Sequence, residues 1–365
     1  MNSRERVGLA LAGKTPDRVP IQFDLCAELL EGFSKKMGIE LSYSESYYED
    51  LKYRISGNEL RTSMGSDCVV VGGGHPSEYE EEVLDTGHKI NEFGMEMRQG
   101  PLYMEVVDAP LEGIETADRA EEYEFPDPHA DGRYEAAKRD VAEFGDRYYV
   151  IGDCELTMFE MAWHLVGMEK FLRDLIRGEE YTEILLRKSL NWTKGVAEEL
   201  AGLGVDALWF GDDVGAQNGL LLSPDLWRER FKPKYRELID GVREIDEDIT
   251  IIFHSDGAVA PLIDDLIELG VDVFNPVQPG VPGHEPRELK DRFGDEISFF
   301  GSIDQQELLP GGTVEEVEAD VRKKIDVLGE GGGFMIAPAH IIQSDTSMEN
   351  VETFIRAARK YGKYP

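Results

Sequence analysis

Residues 250–256 read TIIFHSD, an apolar, β-branched run that finishes on His254 and Asp256. Side chains alternate along a strand with period two, so both fall on the face that Ile252 also presents. A second run, GFMIAPAH at 333–340, ends on His340 in the same way. Two histidines and one carboxylate are a catalytic zinc ligand set: three protein ligands, with a fourth position left for water or substrate. The plainer alternative is that each histidine is a hydrogen-bonded residue at a strand end. If the strand ends meet at one rim, His254, Asp256 and His340 become candidate ligands of Zn2+ or another divalent metal.

Other polar groups end apolar runs. DDVGAQNGLLLSP (212–224) offers Asp212, Asp213, Gln217 and Asn218 on a glycine-containing loop that could approach a ligand closely; the structural alternative is a cap for the helix beginning at Pro224. GDCELTMFEMA (152–162) places Asp153, Cys154 and Glu155 at another strand end, although a lone cysteine is usually a small buried apolar residue. Asp24 and Cys26 follow the first run. Asp213, Glu155 and Gln217 are the candidates for acid, base or substrate-orienting work, and Asp24, Asp153, Cys154, Asp212 and Asn218 for substrate contacts. DPHADG (127–132) fits a corrinoid-binding pattern but lies in a connector, and the triple glycines at 72–74 and 331–333 lack the lysine and hydroxyl of a phosphate loop. The first is a chance match, and the glycines give backbone freedom beside strands.

These residues need elements to hold them. Short runs recur at 19–24, 68–73, 148–153, 207–213, 250–256, 271–277, 297–304 and 333–340, each reading as a buried parallel strand. Helical spacing fills the intervals at 168–177, 181–204, 223–245, 260–270 and 313–329, with Ser223 as an N-cap and Gly204 and Gly270 as C-terminal glycines. Eight strands alternating with helices predict an α/β fold, a (β/α)8 TIM barrel in a single domain over 1–365; an open doubly wound sheet is the alternative, since periodicity cannot show closure. An insertion at 75–147 separates the second and third strands. Its 94–108 portion alternates like a hairpin, and on a barrel it would sit at the mouth as a lid or substrate-contacting region.

Composition excludes several classes. With 74 acidic and 38 basic side chains the net charge is −36, which repels nucleic acid unless a basic patch overrides it, and the sequence has none. No apolar stretch approaches the roughly 20 residues of a membrane span, and the amino-terminal stretch lacks the apolar core of a secretory signal. A cytoplasmic protein without a membrane partner is expected. Three cysteines without CxxC spacing give no disulfide framework.

SRERVGLALAGKTPDRVPIQFD, the DDVGAQNGLLLSPDLWRERFKP block, HSDGAVAPLIDDLIELGVDVFNPVQP, GSIDQQELLPGGTVEEVEADVRKKI and APAHIIQSDTSMENV together resemble the uroporphyrinogen decarboxylase superfamily, nearly end to end. The resemblance implies a closed barrel with its site in the carboxyl-end cleft. It departs from true decarboxylases: LCAELLEGF lacks their arginine, GGGHPSE lacks their aspartate, and their tyrosine falls on Met161, leaving only His340 as a match. The zinc-dependent corrinoid methyltransferases are the more similar branch. Their His-x-Cys and late cysteine fall on His254, Asp256 and His340, and the exchange of thiolates for oxygen and nitrogen donors suits an O-methyl substrate. The reading is therefore a metal-dependent methyltransferase that passes a methyl group from a small methylated compound to a corrinoid on a separate partner protein. A metal-free decarboxylase or lyase using His340 and Asp213 is the first alternative, and a non-catalytic binding barrel the second. A homodimer is the assembly kept open.

Overall fold

A computed structural model describes residues 1–100 and 102–364 of the chain. Seven parallel strands form one sheet in the order Cys68–Gly72, Tyr149–Glu155, Ala207–Gly211, Thr250–His254, Val273–Asn275, Ser298–Ile303 and Phe334–Pro338. Each is wholly or almost wholly buried, as continuous apolar runs in a sheet covered on both faces must be. Residues 19–25 complete the ring. Ile21 and Leu25 make parallel bridges to Ile336 and Ile342, and on the other side the Ile21 carbonyl accepts from Asp67 N–H at 2.8 Å. The expected first strand is thus present as isolated bridges and not as a regular ladder. Pro20 has no N–H to donate, which removes one of the hydrogen bonds that a full strand would make.

The core has two layers. Inside the ring, Val70, Ile151, Ile252, Val273, Phe300 and Met335 meet Val7 and Leu11 of the helix Ser3–Leu11, which stops the amino end of the barrel. Outside it, the alternate strand residues pack against the helices. Met168–Arg177 is helical over the range that spacing predicts. The segment 223–245 is two helices, Pro224–Arg230 and Lys232–Ile245, because Pro233 cannot donate to the preceding turn and so starts a new helix. The Ser223 side chain caps the first of these by accepting from Leu226 N–H, and Gly270 ends Ile263–Leu269 in the left-handed conformation.

Between the first two regular barrel strands, Glu82–Val83, Lys89–Ile90, Glu96–Gln99 and Met104–Asp108 form a separate antiparallel sheet. Its last pair is the hairpin that 94–108 predicts; residue 101 lies outside the described residues. Among the described residues no helix is long and apolar enough to cross a membrane.

Candidate metal centre and its cleft

His254 is the last residue of its strand and follows Ile252 onto the inner face. Its register partner on the neighbouring strand is Asn275. The Asn275 amide nitrogen faces the Phe300 carbonyl at 3.4 Å, which leaves the amide oxygen 2.6 Å from His254 Nδ1. That oxygen can only accept, so Nδ1 carries the proton and the Nε2 lone pair is turned to the cleft. Nε2 lies 3.6 Å from Asp213 Oδ1 and 3.9 Å from Asp256 Oδ1.

Asp256 sits just past the strand end and His340 just past Phe334–Pro338, and ligand atoms of His254, Asp256 and His340 all lie within 4.8 Å of one another. Asp256 Oδ1 and His340 Nδ1 are buried and have no hydrogen-bond partner among the described residues. Buried polar atoms are normally paired, so orphaned atoms on two residues of this cluster fit a cation beside them. Burial, aided by Arg54 and His254, lowers the His340 pKa to about 3 and keeps the ring neutral, as a ligand must be. Burial and the nearby Asp213 raise the Asp256 carboxyl to about 7. For His254, burial opposes the charged form, but Glu155, Asp256 and Asp213 outweigh it and raise its pKa.

Below this rim, Arg54 is buried with a guanidinium nitrogen 2.5 Å from Glu155, another contact at 3.4 Å to Asp153 and a third at 3.7 Å to Asp24, and it lies over the Trp209 ring at 4.4 Å. Arg61 also pairs with Asp24. The cleft above has a volume of about 380 Å³, and its lining includes Glu155, Glu160, Asp213, His254 and His340. Tyr103 to Val106 of the inserted hairpin close one side.

Several expected site residues lie elsewhere. Strand alternation turns Asp153 and Glu155 inward but Cys154 outward, into the apolar layer beneath the helices, where burial pushes its thiol pKa well up. Asp212 is fully buried and accepts from Met158 and Glu160 N–H and from the Tyr235 hydroxyl, so its carboxylate is taken up in capping a helix start and does not line the cleft. Gln217 and Asn218 are exposed at the tip of a two-residue hairpin loop between Gly215–Ala216 and Gly219–Leu220, away from the cleft lining. Asp24 and Asp153 are held beneath the floor by the arginines, and Cys26 precedes a helix with its thiol pKa raised to about 11 by burial.

Arg54, Glu160 and Asn275 belong to the site and were not expected. Asn275 carries the same signal as His254, a polar residue ending an apolar run, and Glu160 lies within the 152–162 stretch already singled out. Arg54 has no local signal: it follows a short 3-10 turn and reaches the site only through tertiary packing. The segment LCAELLEGF has no arginine, and the one that lines the cleft is Arg54.

A closed parallel barrel whose strand ends gather histidines and carboxylates around a cleft defines an α/β-barrel enzyme-like site. Residues 89–361 match the uroporphyrinogen decarboxylase (URO-D) model, and the chain belongs to that family. Among curated relatives, a methylated-thiol–coenzyme M methyltransferase of Methanosarcina mazei is 25% identical over 55% of this chain and 51% of that protein. The methylcobamide:CoM methyltransferase MtaA of Methanosarcina barkeri is 22% identical over 62% of each chain. The chain therefore spans between about half and five-eighths of these relatives. A solved methyltransferase structure from Methanosarcina mazei superposes with a TM-score of 0.73 over 99% of both chains at 18% identity, which establishes the shared fold.

Proposed function

We propose that the protein is a cytoplasmic methyltransferase. It takes a methyl group from a small O-methyl compound at a metal centre formed by His254, Asp256 and His340, and delivers it to a corrinoid carried by a separate protein. The observation that carries this is the convergence of the three ligand groups within 4.8 Å, with buried polar atoms that have no hydrogen-bond partner among the described residues. Relatives in the family that are named as methyltransferases support the reaction class.

The donor set is two imidazoles and a carboxylate, for which Zn2+ is the first choice. A divalent ion bound there supplies Lewis acidity toward the substrate oxygen. The chain's own groups do the rest. Asn275 fixes the ring and tautomer of His254 through Nδ1. Asp213 stands 3.6 Å from His254 Nε2 with its oxygen anchored by Asp256 N–H at 2.7 Å, a position from which it can take or return a proton on the leaving oxygen. Glu155 is held ionised by Arg54 against the opposing effect of burial and sets the negative potential under the site. A carboxylate-bearing substrate, as a decarboxylase requires, would meet these acids with Arg54 already paired to three of them.

Metal analysis of the purified protein tests the reading. We expect about one equivalent of metal in the wild type and loss of it in His254→Ala and His340→Ala, with methylation of cob(I)alamin falling by at least about 100-fold, the scale of removing a main transition-state contact. Full occupancy in both variants overturns the ligand assignment.

A further inference from the structure

Glu160, Trp163 and His164 are three and four residues apart on the helix Phe159–Val166 and therefore share the face that lines the cleft. The His164 ring stacks on Tyr48 at 5.5 Å with an interplanar angle of 11°, and the Trp163 ring centroid is 3.8 Å from it. The cleft thus has an aromatic panel beside a carboxylate. His164 is only 8% exposed, and its Nδ1 has no hydrogen-bond partner among the described residues, as does Oε1 of Glu155, also 8% exposed. Unsatisfied buried polar atoms on both sides mark a space shaped for a ligand.

The charge around this space does not balance. Glu155 is paired with Arg54, and Glu105 on the hairpin with Arg98. Glu160 and Asp213 have no lysine or arginine partner among the described residues, and Asp256 joins them at the rim. A divalent ion at the triad would offset two of these three carboxylates. Glu160 is left next to the aromatic rings, its carboxyl raised well above the ordinary value by burial and by Asp213, Asp212 and Glu155, so that an incoming cation is what would ionise it. Aromatic faces with a nearby carboxylate are the chemistry that binds a quaternary ammonium or similar onium group, whose diffuse charge is poorly hydrated.

We propose that the substrate is a monocation: a small oxygen-bearing molecule with a methylated onium group seated against Tyr48, Trp163 and His164, and with Glu160 as counter-ion. The onium group is the binding handle, and the oxygen is the atom presented to the triad. The proposal rests on the methyl-transfer reading for the role of that oxygen, but recognition of the cation does not require turnover.

Titration calorimetry on the purified full chain, with and without added Zn2+, tests it with two probes of nearly equal shape. Choline carries a hydroxyl and a quaternary ammonium; 3,3-dimethylbutan-1-ol replaces the charged nitrogen by carbon. We expect choline to bind about tenfold tighter, a difference of about 1.4 kcal/mol. Glu160→Gln should bring the two probes within about threefold of each other while leaving the neutral probe and the melting temperature unchanged, and Trp163→Leu should weaken choline about fivefold. Equal affinities, absence of binding by either probe, or an unchanged ratio in Glu160→Gln together with Trp163→Leu overturns the proposal. Discrimination for choline combined with no methyl transfer from any donor would uphold it and overturn the methyl-transfer reading alone.

Discussion

The two ends of the barrel lumen are built by the same strands and are chemically opposite. At the amino end, Ile151, Ile252, Val273 and Met335 close on Val7 and Leu11, all apolar and nearly inaccessible. At the carboxyl end the same inner face carries Glu155, His254 and Asn275, with His340 just beyond its strand. On Thr250–His254 the change takes one step of alternation, from Ile252 to His254. Alternation decides which residues face inward, and position along the strand decides whether they meet a sealed core or a mouth. Burying a polar group without a partner costs several kcal/mol, so the polar layer can exist only where arginine, an ion or a substrate completes it.

The largest effects should come from breaking each end separately. Arg54→Met strands Glu155 and Asp153 without their shared counter-charge, while Asp24 keeps Arg61, and should lower unfolding free energy by about 3–5 kcal/mol in urea titrations. Ile252→Ala at the sealed end should cost a comparable 2–5 kcal/mol, roughly, through the cavity it leaves, but with unchanged zinc affinity. If zinc affinity falls in step with stability in Ile252→Ala, the two ends are not independent. Asn275→Ala sharpens the contrast at intermediate size: loss of the Nδ1 partner of His254 should weaken zinc binding about 10–100-fold while the fold holds, read by competition with a chelating dye.

The smallest effect is in pH. Burial raises the carboxyls of Asp153 and Asp256 to about 7, above the value of about 3.9 that they have in an unfolded chain. Between those values the folded state holds more protons, so stability must fall as pH rises through about 7. Metal-free protein should be more stable at about pH 6.5 than at pH 8, by on the order of 1 kcal/mol per group. His340, held to about 3, acts in the other direction: an unfolded histidine is half charged at about pH 6.5, so over this window it offsets about 0.4 kcal/mol of the fall. Chemical denaturation at the two pH values measures the difference, and Ile252→Ala should leave it intact.

What could be read from the sequence follows from how local each signal is. The strand ends bearing His254 and His340 announce themselves, because an apolar run closing on an imidazole is a local pattern. Cys154 and Asp212 sit at equally conspicuous run ends, yet the same period-two rule that turns Asp153, Glu155 and His254 inward turns Cys154 away, and Asp212 caps a helix outside the ring. Gln217 and Asn218 read as donors on a binding loop and are the exposed tip of a tight hairpin, a placement set by the pairing of Ala216 with Gly219 and not visible in residue type. Arg54 could not be found, since nothing near it in the chain foretells that three carboxylates from two other segments will surround it. Ring closure by residues 19–25 is legible in outline as an apolar run, whereas its sparse bridging depends on Pro20 and on the register with residues 336 and 342.

The antiparallel sheet at 82–108 is hydrogen-bonded to itself and not to the ring of parallel strands, yet Tyr103 to Val106 form a wall of the cleft. The hairpin wall and the His254, Asp256 and His340 cluster are thereby encoded in separate stretches of the gene, so the wall is open to exchange without touching that cluster.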